Sequence, residues 1–235
     1  MAQIRVLIFF MIVVKTSCTK QHLTHYWPIS CGEMKDVIGT ANMAQEYATY
    51  FTVNRFGNPN SALALNGGWT QVPPGIYFDT PEFTISVWVY PQQVGNWSRV
   101  IDFGNGLGTT PLDNVVLRLD SNSNNLPALN IAVGTQNSVS QSTKALSNAT
   151  RQLLTAAFNG SLQSFYINGT LVCNKSINYS LPKIARSYNY IGKSYNPLHE
   201  YSWSFIDDLR FYNKSLSQSE ILELMNQNET LSNHF

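Results

Sequence analysis

Short runs of β-branched and aromatic residues, each bounded by turn-forming residues, recur along the chain from residue 22 onwards. Short strands at such intervals are typical of antiparallel sandwiches. The clearest runs are residues 83–90, 99–103, 115–119, 129–133, 152–158, 164–172 and 205–212. Helical periodicity is almost absent before the end of the chain. The pattern therefore predicts an all-β fold.

Two of these runs carry a more detailed signal. In FTISVWVY (83–90), every second residue from Phe83 to Val89 is apolar, so one face of this strand is predicted to be buried. In the run 164–172, Asn168-Gly169 stands between two apolar stretches. Asn and Gly tolerate the positive φ of a type I′ turn, which predicts a β-hairpin here.

Near the end, Ser217-Gln-Ser-Glu220 has the spacing of a capping box and precedes an apolar stretch. In a capping box, the serine side chain and the glutamate side chain satisfy backbone N–H groups at the start of a helix. The sequence therefore predicts one short C-terminal helix.

The chain has 235 residues, only 12% of them charged, and a formal net charge of +1. No basic run offers a footprint for a nucleic-acid backbone or an anionic membrane, so nucleic acid is not expected as a partner. Sandwiches often reach this length as one unit, so a single domain is predicted over residues 19–235.

Residues 1–5 form a basic start, residues 6–14 (VLIFFMIVV) are all apolar, and small polar residues follow. This pattern is typical of a signal peptide, predicted here as residues 1–18 and removed after Cys18. The apolar run is too short to span a bilayer, so a secreted, extracellular protein is expected. Eight Asn-x-Ser/Thr sequons, about twice the chance number, add support for a secreted glycoprotein: Asn96, Asn148, Asn159, Asn168, Asn174, Asn178, Asn213 and Asn228.

After removal of residues 1–18, two cysteines remain, Cys31 and Cys173. In an oxidising compartment they are expected to form one disulfide. The alternative is two free thiols.

Four segments follow one another in a recognisable order: the aromatic start 25–28 with Asp36 after it, NRFGNPNSALALNG (54–67), FTISVWVY (83–90) and IDDLRFYNKSLS (206–217). Together they resemble the laminin-G-like domains of the concanavalin A-like lectin/glucanase superfamily, over roughly residues 24–227. The second segment is similar to the family's R-F-G-x-A-x-x-F-D-G motif, and the last is similar to its terminal iDdvriYnraLs motif. The resemblance implies a two-sheet antiparallel jelly-roll β-sandwich with a short C-terminal helix. It also implies adjacent first and last strands, with Trp27 near Phe211.

Family members often bind carbohydrate, and many hold a calcium ion through loop carboxylates and carbonyls. The positions that match here are Asp36, Asn66, Asp207 and Asp208. Asn66 stands where the family has Asp, which removes a charge and weakens a calcium site. Since consecutive residues of a regular strand face opposite sides, at most one of Asp207 and Asp208 is expected to ligate unless the strand contains a bulge. The alternative is structural, with one carboxylate bonded to a turn and the other solvated.

Sugars are held by an aromatic face and by planar polar groups, and such residues are expected on loops at the sandwich ends. The candidates are Trp69, Trp97, Asn105, Asn114, Tyr195, Tyr201 and Trp203. Asn196 is a further polar partner, and the stretch 192–197 stands out for the tyrosines around it. The alternative for each aromatic residue is ordinary packing in the core or at its rim.

Enzymatic functions find little support. A glucanase of the superfamily needs two paired carboxylates on a strand, and no E-x-D-x-E run is present. The four histidines lack metal-ligand spacing. The sequence thus predicts a non-catalytic module that binds a glycan or glycoprotein, assisted by calcium. A protein-interaction or adhesion domain is the second hypothesis, and a degenerate glycoside hydrolase is the third.

Overall fold

A computed structural model describes residues 20–106, 113–120 and 124–227. The predicted signal peptide and the sequon Asn228 lie outside the described residues. The strands are β1 (Leu23–Trp27), β2 (Ala44–Thr52), β3 (Ala62–Val72), β4 (Phe83–Gln93), β5 (Arg99–Gly104), β6 (Asp113–Arg118), β7 (Ala128–Val133), β8 (Gln136–Gln141), β9 (Gln152–Phe158), β10 (Leu162–Ile167), β11 (Thr170–Ser176), β12 (Tyr188–Ile191) and β13 (Ser202–Tyr212). A helix, α1 (Gln218–Met225), follows them.

The strands pair antiparallel throughout. Hydrogen bonding runs in the order β11-β10-β9-β4-β13-β3-β12-β5-β6-β7-β8, with β1 joined to β13 and β2 to β3. The two ends of this strand order lie close together, as shown by the hydrogen bond that Ser138 on β8 donates to Gln163 on β10 at 3.1 Å. Two layers therefore face each other, and the predicted all-β jelly roll is confirmed.

The core lies between these layers and draws on both of them. Phe103 and Leu117 from one layer and Phe158 from the other are fully buried in one apolar cluster. Burial of each such side chain contributes about 1.5–3 kcal/mol. The ring of Trp27 on β1 lies 5.5 Å from that of Phe211 on β13, as the family resemblance implied.

Strand β4 is buried on both faces, although the alternation in the sequence predicted only one buried face. Phe83 and Val89 face the core as predicted. Thr84 and Ser86, on the other face, are 0% exposed. Thr84 donates to the carbonyl oxygen of Lys214 and accepts from the N–H of Leu216. The C-terminal segment therefore covers the polar face of β4.

The predicted helix and hairpin are both present. Helix α1 begins after Ser217, and the reciprocal bonds of the capping box with Glu220 are formed. Asn168 and Gly169 have φ of 50° and 71° and connect β10 to β11. Five strands were not among the clearest runs: β1, β2, β3, β8 and β12.

Asp207 and Asp208 lie at a bulge, so their carboxylates do not face opposite sides as they would in a regular strand. The pairing of β13 with β4 shifts between Asp207 and Arg210, and Asp208 adopts a φ of 52°. This bulge turns both carboxylates to one arginine. Nη1 of Arg55 lies 3.0 Å from Asp207 Oδ2 and 2.5 Å from Asp208 Oδ2.

The expected disulfide is not formed. Cys31 is an exposed free thiol after β1, and Cys173 is a half-buried free thiol on β11. β1, which precedes Cys31, pairs with β13. In the sheet, β11 and β13 are four strand positions apart, which corresponds to roughly 19 Å. Bridged cysteines have Cα atoms less than about 7 Å apart, so this pair is too widely separated.

In the same described ranges, no helix has the length and apolar character needed to cross a membrane.

Candidate functional site

A polar cavity of about 280 Å³ opens on the outer face of the layer that contains β5–β8. We call it the Trp97 cavity. It is lined by Trp97, Arg99, Asn114, Val116, Arg118, Asn130, Asn137, Tyr195, Asn196 and His199. Its floor comes from strands, and its wall comes from the loops 94–98 and 192–201.

Side chains along β6 alternate between the two faces of the sheet, and this alternation determines which of them form the cavity floor. Val115 and Leu117 point into the core, so Asn114, Val116 and Arg118 point to the outer face. Asn130 on β7 is the register partner of Val116. The same alternation that builds the core therefore lines the cavity with amides and a guanidinium.

Asp102 on β5 holds the wall to the floor. It accepts from Arg99 Nε at 2.8 Å and from Asn114 Nδ2 at 2.9 Å. It also accepts from the hydroxyl of Ser194 and from the N–H of Tyr195, both at 3.3 Å. A buried carboxylate with these donors is well satisfied and fixes the loop 192–201 against the sheet.

Trp97 sits in a loop whose backbone is constrained from two sides. Its φ is 61°, a left-handed conformation that costs a non-glycine residue energy and is found at functional sites. Its N–H donates to Asp120 at 3.4 Å, and its carbonyl oxygen accepts from Nη1 of Arg99. These bonds hold the indole at the mouth of the cavity.

His199 stacks on Trp97 with ring centroids 5.6 Å apart and an interplanar angle of 22°. Arg99 Nη2 lies 2.8 Å from His199 Nδ1, so an unprotonated Nδ1 accepts this bond. Burial, together with Arg99 and Arg118, lowers the pKa of His199 to about 4. The imidazole is therefore neutral at physiological pH and adds a second flat ring to the wall.

Three of the seven predicted ligand-binding residues meet in this cavity: Trp97, Asn114 and Tyr195. Asn114 lies on strand β6 and not on a loop, which corrects its predicted position. Asn105 follows β5 and does not line the cavity.

The other three predicted aromatic residues lie elsewhere. Trp69 is on β3, with its ring 5.6 Å from that of Tyr190 and Lys193 Nζ 4.0 Å above it. Tyr201 packs edge-on against Tyr47. Trp203 is on β13 and 40% exposed. Since Trp69 and Trp203 lie on strands, their predicted loop positions were wrong.

Six cavity residues were not among the predicted ligand-binding residues: Arg99, Val116, Arg118, Asn130, Asn137 and His199. One signal was available in the run DNVVLR (113–118), where Asn114 and Arg118 occupy the polar phase of a buried strand. The sequence does not show that this face of β6 lies beside residues from β5, β7, β8 and the loop 192–201.

The four residues matched to a calcium site do not fit that ion. Asp36 accepts from His25 and from the backbone N–H groups of Tyr26, Ile38, Gly39 and Ala41. Its oxygens are thus occupied by donors. Among the described residues, His, Cys, Asp and Glu side chains form no group of three or more that is arranged to hold a metal.

Asp207 and Asp208 line a second cavity of about 300 Å³ together with Arg55. Burial and Asp208 raise the pKa of Asp207 to about 7. Burial also acts to raise the pKa of Asp208, but Arg210 and Arg55 outweigh it and lower that pKa. Guanidinium groups already occupy the place a cation would take. Asn66 on β3 is the register partner of Trp203 on β13. Trp203 stands four residues before Asp207 in the same strand, so Asn66 lies on the order of 13 Å from Asp207 along the sheet.

Comparisons with known proteins agree with this architecture. The laminin-G-like family model described as the concanavalin A-like lectin/glucanases superfamily matches residues 65–222, more than half of the chain. No curated protein gives a significant match.

Solved structures share the fold at low sequence identity. Domain 4 of AbnA, a GH43 extracellular arabinanase from Geobacillus stearothermophilus in complex with arabinotriose, has a TM-score of 0.72 and 16% identity, with 87% of this chain and 98% of that domain covered. The binding domain of Paraclostridial Mosquitocidal Protein 1 has a TM-score of 0.70 and 17% identity, with 88% and 52% covered.

A third similar structure is from botulinum neurotoxin type C, whose cell entry depends on interaction with two ganglioside molecules. It has a TM-score of 0.68 and 15% identity, with 90% of this chain and 52% of that chain covered. The present chain thus spans about half the length of these two toxin domains. By its match to the family model over residues 65–222, this chain belongs to the laminin-G-like family of the concanavalin A-like lectin/glucanases superfamily.

Proposed function

We propose that this chain is an extracellular, non-catalytic module that binds glycans in the Trp97 cavity. One observation carries the proposal: a flat aromatic wall, Trp97 stacked on His199, stands over a floor of side-chain amides. Aromatic faces pack on the C–H groups of sugars, and amides pair with hydroxyl groups. Apolar contact with a few placed polar groups is the usual composition of a small-ligand site.

The floor is suited to hydroxyl groups because amides both donate and accept. Asn130, Asn137 and Asn196 are half-buried or exposed and line the cavity. Asn114 is 2% exposed and gives one N–H to Asp102. Oligosaccharide-binding structures with the same fold, such as the arabinanase domain solved with arabinotriose, make a glycan a reasonable ligand class.

The non-catalytic part of the proposal rests on the state of Asp102. Glycoside hydrolysis needs two carboxylates on either side of the scissile bond. Asp102 is 1% exposed and its oxygens accept from Arg99, Asn114, Ser194 and Tyr195. A carboxylate engaged in this way supports the loops and is not placed to attack a sugar.

The test is binding of the secreted, folded protein to a glycan array, for the native chain, Trp97→Ala and Trp203→Ala. We expect Trp97→Ala to lower the array signal at least tenfold, because His199 and Arg118 both pack on the indole and the wall of the cavity loses this support. Trp203→Ala removes an equally large, partly exposed indole outside the cavity and is expected to keep the signal. Thermal unfolding of each variant serves as the folding control.

Native-like binding by a folded Trp97→Ala protein would place the site elsewhere. The array is run with calcium and again with a chelator, since the sequence predicts calcium assistance. Loss of signal on chelation would locate a metal outside the four residues matched to a calcium site.

A protein-interaction module is the second candidate, and one exposed feature favours it. Tyr47 is 57% exposed and contacts Tyr201, with ring centroids 6.4 Å apart. Tyrosine is enriched at protein interfaces. Absence of glycan binding in both buffers would favour this candidate.

A further inference from the structure

Arg118 is a buried cation that lines the Trp97 cavity and, among the described residues, has no ion pair. It is 5% exposed and lies on β6. In the described part of the chain its guanidinium makes no hydrogen bond, and its Nε is buried with no partner. It stacks on Trp97, whose ring centroid lies 5.0 Å from Cζ. A guanidinium has five N–H donors, so most of its hydrogen-bonding capacity is unused.

The nearby carboxylates are engaged with other donors. Asp102 accepts from Arg99 and Asn114. Asp120 accepts from the backbone N–H groups of Asn124 and Asn125 at 2.8 and 2.7 Å. Burial and the neighbouring Arg99 lower the pKa of Arg118 to about 10, and the side chain still carries its charge at pH 7.

Arg99 does not share this unused capacity, although it is the register partner of Arg118 on β5. Its Nε bonds to Asp102, its Nη1 to the carbonyl oxygen of Trp97, and its Nη2 to His199. Arg99 is neutralised by its ion pair with Asp102, whereas Arg118 has no ion pair among the described residues. Burying an unpaired charge is unfavourable, so an anion here would remove an existing cost.

We propose that the glycan bound in the Trp97 cavity carries an oxyanion, a sugar carboxylate or sulfate, and that Arg118 pairs with it. This inference rests on the proposed glycan-binding function. A planar guanidinium forms two parallel hydrogen bonds with a carboxylate or sulfate, which fixes both position and orientation. Stacking of the same guanidinium on Trp97 leaves its edge available for these bonds.

The opposite end of the floor offers an acceptor. Oδ1 of Asn114 is buried, lines the cavity and lacks a partner among the described groups. It suits a sugar hydroxyl or amide N–H. Asn114 and Arg118 lie four residues apart on one face of β6, on the order of 13 Å. An acidic oligosaccharide is long enough to contact both side chains, so it is the ligand we predict.

The test compares matched neutral and acidic glycans by isothermal titration calorimetry. The pairs are lactose with 3′-sialyllactose, a glucose-ended disaccharide with its glucuronic-acid-ended form, and N-acetyllactosamine with its 6-sulfated form. For the native protein we expect at least tenfold tighter binding of one acidic member than of its neutral partner. The second and third pairs separate carboxylate from sulfate.

Three variants accompany the native chain: Arg118→Gln, Arg118→Lys and Lys183→Gln. Arg118→Gln is expected to abolish the acidic preference, measured as the ratio of acidic to neutral affinity within each pair. Arg118→Lys keeps the charge but loses the planar guanidinium that forms two parallel hydrogen bonds, so part of the acidic preference is expected to remain. Lys183 is exposed and outside the cavity, so Lys183→Gln removes one positive charge but leaves Arg118 able to pair with the glycan anion. This control is expected to keep the acidic preference.

The thermal midpoint separates this role from a structural one. Removal of an unpaired buried charge is expected to leave the midpoint unchanged or raised, whereas a structural arginine would lower it. Equal binding of acidic and neutral members, or an acidic preference that survives Arg118→Gln, overturns the inference and leaves glycan binding intact. Absence of binding by every probe overturns the inference, and absence across the full array overturns the proposed function as well.

Discussion

Asp36 shows how one side chain can organise a whole segment. Its carboxylate is buried, lies 2.7 Å from His25 Nδ1 and accepts from four backbone N–H groups between Tyr26 and Ala41. The family resemblance singled out this residue as a candidate calcium ligand. Its predicted role as a metal ligand does not match the donors around it. Those donors are mostly backbone groups, whose direction is set by the folded loop and is invisible in the sequence.

The Asp36 carboxyl predicts a defined acid sensitivity. Burial alone would raise its pKa, but the hydrogen bonds from His25 and from the backbone lower it from 3.8 to about 2. A carboxyl with a lower pKa in the folded state contributes stability that is present above about pH 4 and lost as the pH falls through 2. A shift of this size corresponds to about 2 kcal/mol.

Urea unfolding of the native chain and of Asp36→Asn between pH 2 and pH 7 checks this prediction. Asp36→Asn is expected to be less stable by about 2 kcal/mol at pH 7, with the difference shrinking towards pH 2. Asp79→Asn removes an exposed carboxylate and serves as the matched control. A difference between native and Asp36→Asn that stays constant across this range would contradict the assignment.

At the scale of elements, the hairpin β10–β11 and helix α1 support each other. Gly169 has a φ of 71°, and a Cβ at this position would overlap Cδ2, at the end of the exposed Leu222 side chain on α1. Gln218 also donates to the carbonyl oxygen of Gly169 at 2.9 Å. The turn residues were predicted from their backbone preferences. The helix packed on the turn was not, since contacts between distant segments leave no local pattern.

Gly169→Ala is therefore expected to destabilise the protein more than Gly134→Ala. Gly134 follows β7 and also has a positive φ, 58°, but a Cβ at this position would have no neighbour within 4 Å. Both changes carry the backbone cost of about 1 kcal/mol, and only Gly169→Ala adds a clash with Leu222. Chemical denaturation of the two variants measures the difference, and equal losses would show that the Leu222 side chain moves aside without cost.

At the scale of the whole molecule, four exposed sequons and the Trp97 cavity lie on different layers. Five sequon asparagines are exposed: Asn148, Asn159, Asn168, Asn174 and Asn178. The last four flank or belong to β10 and β11, across the core from β5–β8. Asn96 is the exception, because it directly precedes Trp97.

We expect enzymatic removal of N-glycans from the secreted protein to change glycan affinity by less than about twofold. Mass spectrometry before treatment identifies the occupied sequons and tests the predicted mature start after Cys18. Asn174→Gln serves as the comparison for Asn96→Gln, which removes the acceptor beside the cavity. A tenfold change on deglycosylation of the Asn96→Gln protein would contradict the separation of the two surfaces.

The sequence by itself determined the fold class, the hairpin at Asn168-Gly169, the capped helix and the family. These features depend on alternation along one strand, on φ preferences and on local hydrogen bonds, all of which are written in neighbouring residues. It also identified Trp97, Asn114 and Tyr195 as candidates by residue type.

Only the tertiary structure decided which candidates form a site. Arg118 and His199 are about eighty residues apart in sequence and meet at Trp97 because β5, β6 and the loop 192–201 assemble around Asp102. In the same way, the bulge at Asp208 directs both carboxylates to Arg55. Strand order and bulges result from the packing of the whole chain, and no local pattern encodes which distant side chains they bring together.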